Sequence, residues 1–151
     1  MKKITFIGLG VMGFPIAGHL SKEGYNVTVY NRSEEKSKLW VKNHIGTYST
    51  SIKEAVSDSD IVFSCVGNDT DLREITLGTD QAFSSMKSGS VFIDHTTTSS
   101  DIAVELSEKA KEFNINFLDA PVSGGEVGAV KGELTVMIGG ENSIFEKTKS
   151  I

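Results

Sequence analysis

Short apolar runs alternate along this chain with segments in which apolar residues recur at helical spacing. The runs are KITFIG (3–8), NVTVY (26–30), DIVFSCV (60–66), SVFIDH (90–95) and NINFLDA (114–120), with a weaker candidate at 45–48. Runs that are rich in Val, Ile and Phe and apolar on both faces are typical of parallel strands covered by helices on each side. The pattern predicts an α/β fold with an open, doubly wound, mostly parallel sheet and right-handed connections.

The intervening segments predict amphipathic helices. One places Met12, Ile16, Ala17 and Leu20 on a common face. Another begins at SSDIAVE, where Ser99 or Ser100 can cap the helix. Its expected buried positions are Ile102, Val104, Leu106, Ala110 and Phe113. Near the end, ELTVMIGG predicts a seventh strand, and ENSIFEKTKSI predicts the beginning of a further helix.

Composition narrows the classes of function. The 151 residues are 38% hydrophobic and 23% charged, as in a soluble globular domain. A net charge of −5 argues against general affinity for nucleic acid. Cys65 is the single cysteine, so no internal disulfide is possible and a reducing cytoplasm is the expected location. Because Cys65 lies in an apolar run, we interpret it as a packing residue rather than a catalytic thiol.

The sequence argues against a signal peptide, a membrane partner and a metal site. MKK followed by an apolar stretch superficially resembles a signal peptide, but the glycine spacing and the lack of a small-x-small cleavage site count against one. No membrane partner is expected. No His, Cys or Asp cluster has the spacing of metal ligands, so no metal is expected either.

A glycine cluster follows the first predicted strand. GLGVMG has G-x-G-x-x-G spacing between a strand and a helix, the setting in which a dinucleotide pyrophosphate lies against the helix N-terminus. The alternative is a plain strand-to-helix turn with no ligand. The predicted cofactor-binding residues of this turn are Gly8, Leu9, Gly10, Val11, Met12 and Gly13.

The residues after the second strand indicate which dinucleotide would bind. NAD-binding proteins usually place Asp or Glu there, whereas this chain has Asn31, Arg32 and Ser33, with Lys36 one turn later. Because Arg32 can offer a planar fork to a 2′-phosphate, we expect NADP in preference to NAD. Glu34 and Glu35 leave open the alternative that Arg32 is a solvated surface residue.

These motifs resemble the N-terminal half of a β-hydroxyacid dehydrogenase, a family that includes 3-hydroxyisobutyrate, tartronate semialdehyde, glyoxylate/succinic semialdehyde and 6-phosphogluconate enzymes. GLGVMGFPIAGHL resembles the family's G-x-G-x-M-G-x-P-M-A-x-N-L start, with Ile16 and His19 as departures. NRSEEK resembles NADP-preferring members, and DHTTTSS is similar to the D-x-S-T segment. DAPVSGGEVGAVKGELTVMIGG resembles the substrate-binding signature, with Glu133 where Thr is usual.

The resemblance implies a Rossmann-like, NADP-binding domain over residues 1–151, cut within its final helix before the family's helical second domain. Val66 and Gly67 would lie beside the cofactor and Thr97 near the nicotinamide. Ser123, Gly124 and Gly125 would hold the substrate carboxylate, since consecutive N–H groups on permissive backbone form an anion-binding concavity. The implied reaction is hydride transfer between NADP(H) and a small 3-hydroxy acid or a short aldehyde or keto acid. The longer protein is expected to form a homo-oligomer.

The resemblance assigns no catalytic residue to this chain, because the family's proton-transferring lysine lies downstream. The chain alone is therefore expected to show little or no turnover. Lys131 occupies a position that the family leaves variable. His95, at a strand end, is a tempting general acid, but we favour a supporting or solvent-facing role. We interpret His19 and His44 as helix-surface residues.

Two rival functions remain at this stage. The fold could bind NADP as a non-catalytic scaffold or sensor, or it could belong to an S-adenosylmethionine-dependent methyltransferase. Arg32 and the missing acidic residue argue against the second rival, because a ribose diol prefers a carboxylate. Within the family, the sugar acid enzyme is less favoured than the small-acid enzymes. The sequence does not name the substrate.

Overall fold

A central sheet with helices on both faces organises the computed structural model, which describes residues 2–151. The strands are β1 (Lys3–Ile7), β2 (Asn26–Tyr30), β3 (Thr47–Tyr48), β4 (Ile61–Ser64), β5 (Val91–Asp94), β6 (Asn116–Asp119), β7 (Val122–Ser123), β8 (Thr135–Val136) and β9 (Gly139–Gly140). The helices are α1 (Gly13–Lys22), α2 (Glu34–Asn43), α3 (Ile52–Val56), α4 (Asp69–Leu77), α5 (Ala82–Ser85), α6 (Ser100–Glu112), α7 (Gly125–Lys131) and α8 (Asn142–Thr148).

The strand order is β3-β2-β1-β4-β5-β6-β9, and the pairs from β3 to β6 are parallel. The chain builds outward from β1 to β3, returns to β4 on the other side of β1, and continues to β6. This reversal beside β1 is the topological switch point at which doubly wound sheets bind ligands. The predicted Rossmann-like, doubly wound fold is confirmed.

Alternating strand residues supply two hydrophobic cores, one on each face of the sheet. Val62, Phe92 and Phe117 pack with α3, α5 and α6. Their neighbours along the same strands, Phe63 and Ile93 among them, pack on the opposite face with α1 and α2. Strands that are buried on both faces account for the uninterrupted apolar runs in the sequence.

The helix predictions hold where the apolar positions follow the helical period. In α6, Ile102, Leu106 and Ala110 are buried at four-residue intervals. Ser99 caps this helix, because its hydroxyl oxygen accepts a hydrogen bond from the N–H of Ile102. The predicted burial of Val104 and Phe113 is wrong: their exposed fractions are 60% and 41%. Val104 projects from the outer face, and Phe113 lies beyond the last helical turn.

The predicted seventh strand is divided into two short pieces. β8 pairs antiparallel with β7 in a separate two-stranded sheet, whereas β9 pairs antiparallel with β6 at the edge of the main sheet. The N–H of Met137 bonds to the carbonyl of Pro121 between them. The segment forms two strands because nearly all of its side chains are exposed, so no buried face fixes one continuous register.

The predictions for two further short segments are confirmed. The weak strand candidate at 45–48 is present as β3, and α8 begins within the segment that predicted the last helix. Within residues 2–151, none of the helices is both long and apolar enough to cross a membrane.

Candidate cofactor-binding site

A groove with a cavity volume of about 470 Å³ lies at the carboxyl ends of β1, β2 and β4, at the topological switch point. Its size is that of a small-molecule site. Tyr30, Cys65 and Asp71 contribute to its wall. The structure brings together in this groove most of the residues predicted to bind the cofactor: Gly8, Gly10, Val11, Met12, Gly13, Asn31, Arg32, Ser33, Lys36, Val66 and Gly67.

The three glycines of the first turn are required for three different reasons. Gly8 has a φ of +96°, and a Cβ there would overlap the carbonyl oxygen of Cys65 on the neighbouring strand. A Cβ on Gly13 would overlap the carbonyl oxygen of Gly8, so the first turn of α1 packs directly on the strand end. A Cβ on Gly10 would meet nothing within 4 Å, because Gly10 faces the open groove. Gly8 and Gly13 therefore serve the fold, and Gly10 leaves backbone accessible to a ligand.

Asn31 fixes the turn against the end of β2. Its Oδ1 accepts a hydrogen bond from the N–H of Leu9 at 2.8 Å, and its Nδ2 donates to the carbonyl of Ser33 at 3.0 Å. Leu9, also predicted to bind the cofactor, is 2% exposed and does not line the groove. The N–H of Leu9 is already engaged, so this residue holds the turn in shape.

Charged side chains of both signs surround the β2 end of the groove. Arg32 and Lys36 are exposed and line it. The nearby acids do not line the groove: Glu34 pairs with Lys38 at 3.1 Å, and Glu35 accepts a hydrogen bond from the Ser33 hydroxyl. This arrangement leaves Arg32 and Lys36 as the groove's charged groups on the β2 side.

The carboxylate nearest to Arg32 comes from α4 and was missed by the sequence analysis. Asp71 Oδ1 lies 3.6 Å from Arg32 Nη1. Asn68 begins α4 as its N-cap and accepts a hydrogen bond from the Asp71 N–H at 2.9 Å. The available signal was this Asn shortly after the apolar run 60–66, since an Asn N-cap places Asp71 in the first helical turn. Knowing that the turn faces the groove required the pairing of β4 with β1.

A buried hydrogen-bond network supports the loop that carries Val66 and Gly67. Asp94 Oδ1 accepts hydrogen bonds from the hydroxyls of Ser64 at 2.6 Å and Thr96 at 2.7 Å. The Thr96 oxygen in turn accepts a bond from the N–H of Val66 at 3.0 Å. Thr96 was not among the predicted site residues, whereas the predicted Thr97 is exposed and does not line the groove. The network holds one wall of the groove in a fixed conformation.

Burial dominates the electrostatics of Asp94. Its side chain is 1% exposed, and Oδ2 has no hydrogen-bond partner among residues 2–151. Desolvation raises the pKa of Asp94 to about 6, although the hydrogen bonds from Ser64 and Thr96 act in the opposite direction. Asp94 is therefore a buried acid that titrates near neutrality.

The predicted substrate-binding residues Ser123, Gly124 and Gly125 do not line the groove. They follow β6, and since the strands are parallel they lie at the same sheet edge as the groove, with β4 and β5 between β6 and β1. Gly124 and Gly125 have φ angles of +136° and +63°. Gly124 is the N-cap of α7 and Gly125 is the first residue of its first turn, where backbone N–H groups have no helical partner.

The histidines lie away from the groove. His95 is 8% exposed, stacks on Phe63, and donates from Nδ1 to the carbonyl of Ala120 at 2.7 Å. Burial lowers its pKa. His95 and Lys131 both line a second cavity, of about 530 Å³, which also borders α1. His95 therefore has a packing role in this chain.

The interpretation of His19 and His44 as helix-surface residues is wrong. Both are partly buried. Nε2 of His19 is 2.9 Å from the carbonyl oxygen of Ala129 in α7, and His44, at the end of α2, packs against Phe14 of α1 with ring centroids 5.6 Å apart. Burial lowers the pKa of His44. Both rings connect neighbouring helices.

Cys65 lines the groove but has no nucleophilic character. It is half-buried, and desolvation raises the pKa of its thiol to about 11. Within residues 2–151, no group of three or more His, Cys, Asp or Glu side chains is arranged to hold a metal ion. What the groove offers is accessible backbone, an apolar wall, exposed cations at the β2 end and the carboxylates of Asp71 and Glu74 on α4.

Comparison with known proteins agrees with this geometry. The family model described as the NAD binding domain of 6-phosphogluconate dehydrogenase matches residues 3–151. A protein of Shewanella frigidimarina named "Uncharacterized oxidoreductase" is 50% identical over all of this chain and 52% of its own length. An Arabidopsis thaliana protein named "Probable 3-hydroxyisobutyrate dehydrogenase-like 2, mitochondrial" is 41% identical over 95% of this chain and 48% of its own length.

Solved structures extend the similarity to three dimensions. The 3-hydroxyisobutyrate dehydrogenase of Mycobacterium tuberculosis, solved with L-serine, superposes with a TM-score of 0.92 at 29% identity. The alignment covers 99% of this chain and 50% of that protein. This chain thus spans about half the length of the relatives that it matches. It belongs to the family of 6-phosphogluconate dehydrogenase NAD-binding domains and is a nicotinamide dinucleotide-binding domain with 3-hydroxyisobutyrate dehydrogenase-like relatives.

Proposed function

We propose that this chain is the NADP(H)-binding domain of an oxidoreductase that acts on a small 3-hydroxy acid or a short aldehyde or keto acid. The observation that carries the proposal is the combination, in one groove, of bare backbone at Gly10 with the exposed cations Arg32 and Lys36. The bound nicotinamide would accept or donate the hydride. The protein's contribution would be binding and orientation.

The groove fits the two negative regions of the cofactor. Gly10 gives a pyrophosphate access to backbone N–H groups at the N-terminal end of α1, where the helix dipole favours an anion. Arg32 would pair with a 2′-phosphate. Neither Glu34 nor Glu35 lines the groove, and the Glu34 carboxylate is paired with Lys38. These features support NADP(H) as the preferred cofactor.

We assign the substrate carboxylate to the Ser123–Gly125 loop. The positive φ angles of Gly124 and Gly125 present backbone to the carboxyl edge of the sheet, on which the groove also opens. The structure of the Mycobacterium tuberculosis enzyme with L-serine supports this class of substrate, since serine carries a hydroxyl on the carbon next to its α-carbon. The L-serine in that structure supports a small acid in preference to a phosphorylated sugar acid.

We assign the proton-transferring group to a lysine outside residues 1–151. His95 donates to Ala120 and lies away from the groove, and the Cys65 thiol stays protonated at neutral pH because its pKa is raised. Lys131 lines the second cavity. Val66, Gly67 and Thr97 remain proposed neighbours of the cofactor. The chain alone should therefore bind the cofactor and show little or no turnover.

A direct test compares cofactor binding by two glycine variants. Gly10→Ala should weaken NADPH binding by at least about tenfold, because a methyl group would obstruct backbone contacts worth roughly 1.5–3 kcal/mol each. Its free energy of unfolding should change by less than about 0.5 kcal/mol, since the methyl group meets no protein atom within 4 Å. Isothermal titration calorimetry with NADPH and NADH measures binding, and urea unfolding measures stability.

Gly139→Ala is the matched control. Gly139 lies in β9, outside the groove, and an added Cβ there would only touch the carbonyl oxygen of Asp119 at 3.9 Å. It should bind NADPH like the unmodified chain. A wild-type chain that binds neither dinucleotide, or a Gly10→Ala variant that binds as well as Gly139→Ala, would contradict the proposed function.

A further inference from the structure

Arg32 and Asp71 approach each other across the mouth of the groove. Arg32 follows β2 and Asp71 lies in the first turn of α4, after β4, yet their side chains are 3.6 Å apart. In the sheet, β1 separates β2 from β4, so the two strand ends are about 10 Å apart. The ion pair therefore crosses over the glycine turn that follows β1.

Asp71 is the fixed member of this pair. Its N–H bonds to the Asn68 cap, and its side chain is only 28% exposed, compared with 80% for Arg32. A Cβ at Gly67 would lie 2.6 Å from Asp71 Oδ2, so the absence of a side chain at Gly67 makes room for this carboxylate. The Asp71 carboxylate is thus part of the groove wall, and Arg32 reaches toward it from the other side.

The position of Asp71 affects the two dinucleotides in opposite ways. A 2′-phosphate that binds Arg32 has to displace this carboxylate and then carries two negative charges beside it. The free 2′-hydroxyl of NAD is a hydrogen-bond donor, for which a carboxylate is a good acceptor. Glu34 and Glu35 do not line the groove, whereas Asp71 does and lies 3.6 Å from the Arg32 guanidinium.

We propose that Asp71 is a specificity-determining residue of the groove: Arg32 favours the 2′-phosphorylated cofactor, and Asp71 reduces that preference. The inference rests on the proposed dinucleotide function. It assigns to Asp71, on α4, the acidic role that no residue at the end of β2 fills. It predicts a chain that prefers NADP(H) only moderately and still binds NAD(H).

The test measures the dissociation constants of NADPH and NADH for the wild-type chain and Asp71→Asn. The ratio of the NADH constant to the NADPH constant should rise by about three- to tenfold in the variant, the expected effect of removing one charge about 6 Å from a dianion in aqueous salt. Adenosine 2′,5′-bisphosphate should gain affinity while AMP does not, which places the effect at the 2′-phosphate. At 0.5 M NaCl the gain should shrink.

Asp101→Asn is the charge-matched control, since Asp101 is an exposed acid in the first turn of α6, outside the groove. It should leave the ratio unchanged. Asp71→Ser serves as a second variant and should shift the ratio in the same direction as Asp71→Asn. Trp40 fluorescence during urea unfolding verifies that each variant is folded.

The outcomes separate this inference from the function on which it rests. If the wild-type chain binds both dinucleotides and Asp71→Asn leaves the ratio within about twofold, or lowers it, the inference is overturned and the cofactor site stands. A rise of equal size in Asp101→Asn also overturns it, because the effect would then reflect net charge alone. A wild-type chain that binds neither dinucleotide refutes the proposed function itself.

Discussion

The hydroxyl of Ser64 donates a 2.6 Å hydrogen bond to Oδ1 of Asp94, joining the carboxyl ends of β4 and β5. The two residues are register partners in the parallel sheet, and both are buried. Thr96 adds a second hydroxyl to the same carboxylate oxygen and accepts the N–H of Val66. One buried acid thereby connects the sheet edge to the loop that forms a wall of the groove.

Asp94 should lower the free energy of unfolding as pH rises, the direction opposite to that of a carboxylate whose pKa is depressed by folding. The ordinary pKa of 3.8 is raised to about 6 in the folded chain, so between these values the folded state binds more protons than the unfolded state. The contribution of Asp94 to the free energy of unfolding therefore falls as pH rises from about 4 to 6, by up to roughly 3 kcal/mol. Asp94→Asn removes the titration, and the stability of the variant relative to wild type should increase over this range. Urea unfolding at a series of pH values measures the difference.

Ser64→Ala is the companion variant for this prediction. Loss of the Ser64 hydrogen bond should raise the pKa of Asp94 further, because that bond favours the ionised form. The pH-dependent fall in stability should then extend to higher pH than in wild type. Curves for wild type and Asp94→Asn that run parallel from pH 4 to pH 7 would show that Asp94 does not titrate in this range.

The fold was predictable because the strong strands are buried on both faces. In the apolar run 60–66, Val62 packs in the core on one face of the sheet and Phe63 in the core on the other. Such a run predicts a strand whichever strands it pairs with. The region of Val136 and Met137 carries no such information, because these residues are 42% and 51% exposed and pair only over short stretches. The local sequence pattern predicts a single strand there, whereas pairing with β7 and with β6 divides the segment into β8 and β9.

The candidate site was predictable to the extent that it is local in sequence. Gly8, Gly10 and Gly13 predict their turn by spacing alone, because all three lie within one strand-turn-helix unit. Asp71 and Thr96 could not be found in this way. Their roles depend on which strands are neighbours and on the rotation of the helix or loop that follows each strand.

Replacing Arg32 by Asp should affect one dinucleotide much more than the other. The substitution removes a charge-assisted contact worth about 1.5–3 kcal/mol, and so NADPH binding should weaken by at least about tenfold. NADH lacks the 2′-phosphate and should change by less than about threefold. Dissociation constants from calorimetry provide the comparison. Lys109→Asp, the same charge change at the Glu112 ion pair on α6 outside the groove, should leave both constants unchanged. Equal losses for NADPH and NADH in the Arg32 variant would refute the assignment of the 2′-phosphate to this side chain.

Gly13→Ala should destabilise the fold. The added methyl group would collide with the carbonyl of Gly8 and lie 3.0 Å from the Phe6 ring, so α1 would have to move away from β1. Forced overpacking of this kind costs roughly 1–3 kcal/mol in the free energy of unfolding. Trp40, the single tryptophan and fully buried, reports the unfolding transition in urea by its fluorescence. The control is Gly10→Ala, whose methyl group has open space, and a Gly13 variant as stable as this control would mean that helix and strand are packed less closely than the structure shows.

Cys65 should react with alkylating reagents far more slowly than an exposed cysteine. Because burial raises its pKa from 9.0 to about 11, the thiolate fraction at pH 8 falls by roughly 100-fold. Iodoacetamide labelling followed by mass spectrometry should show slow modification in the folded chain and rapid modification in urea. NADPH at a concentration close to its wild-type dissociation constant should slow the folded-state reaction further, since Cys65 lines the groove that we assign to the cofactor. Gly10→Ala supplies the control, because a variant that binds NADPH at least about tenfold more weakly should lose most of this protection while keeping the slow basal rate. Fast labelling of the folded wild-type chain would show that the Cys65 thiol is accessible and ionised, and protection that persists in Gly10→Ala would place NADPH elsewhere on the molecule.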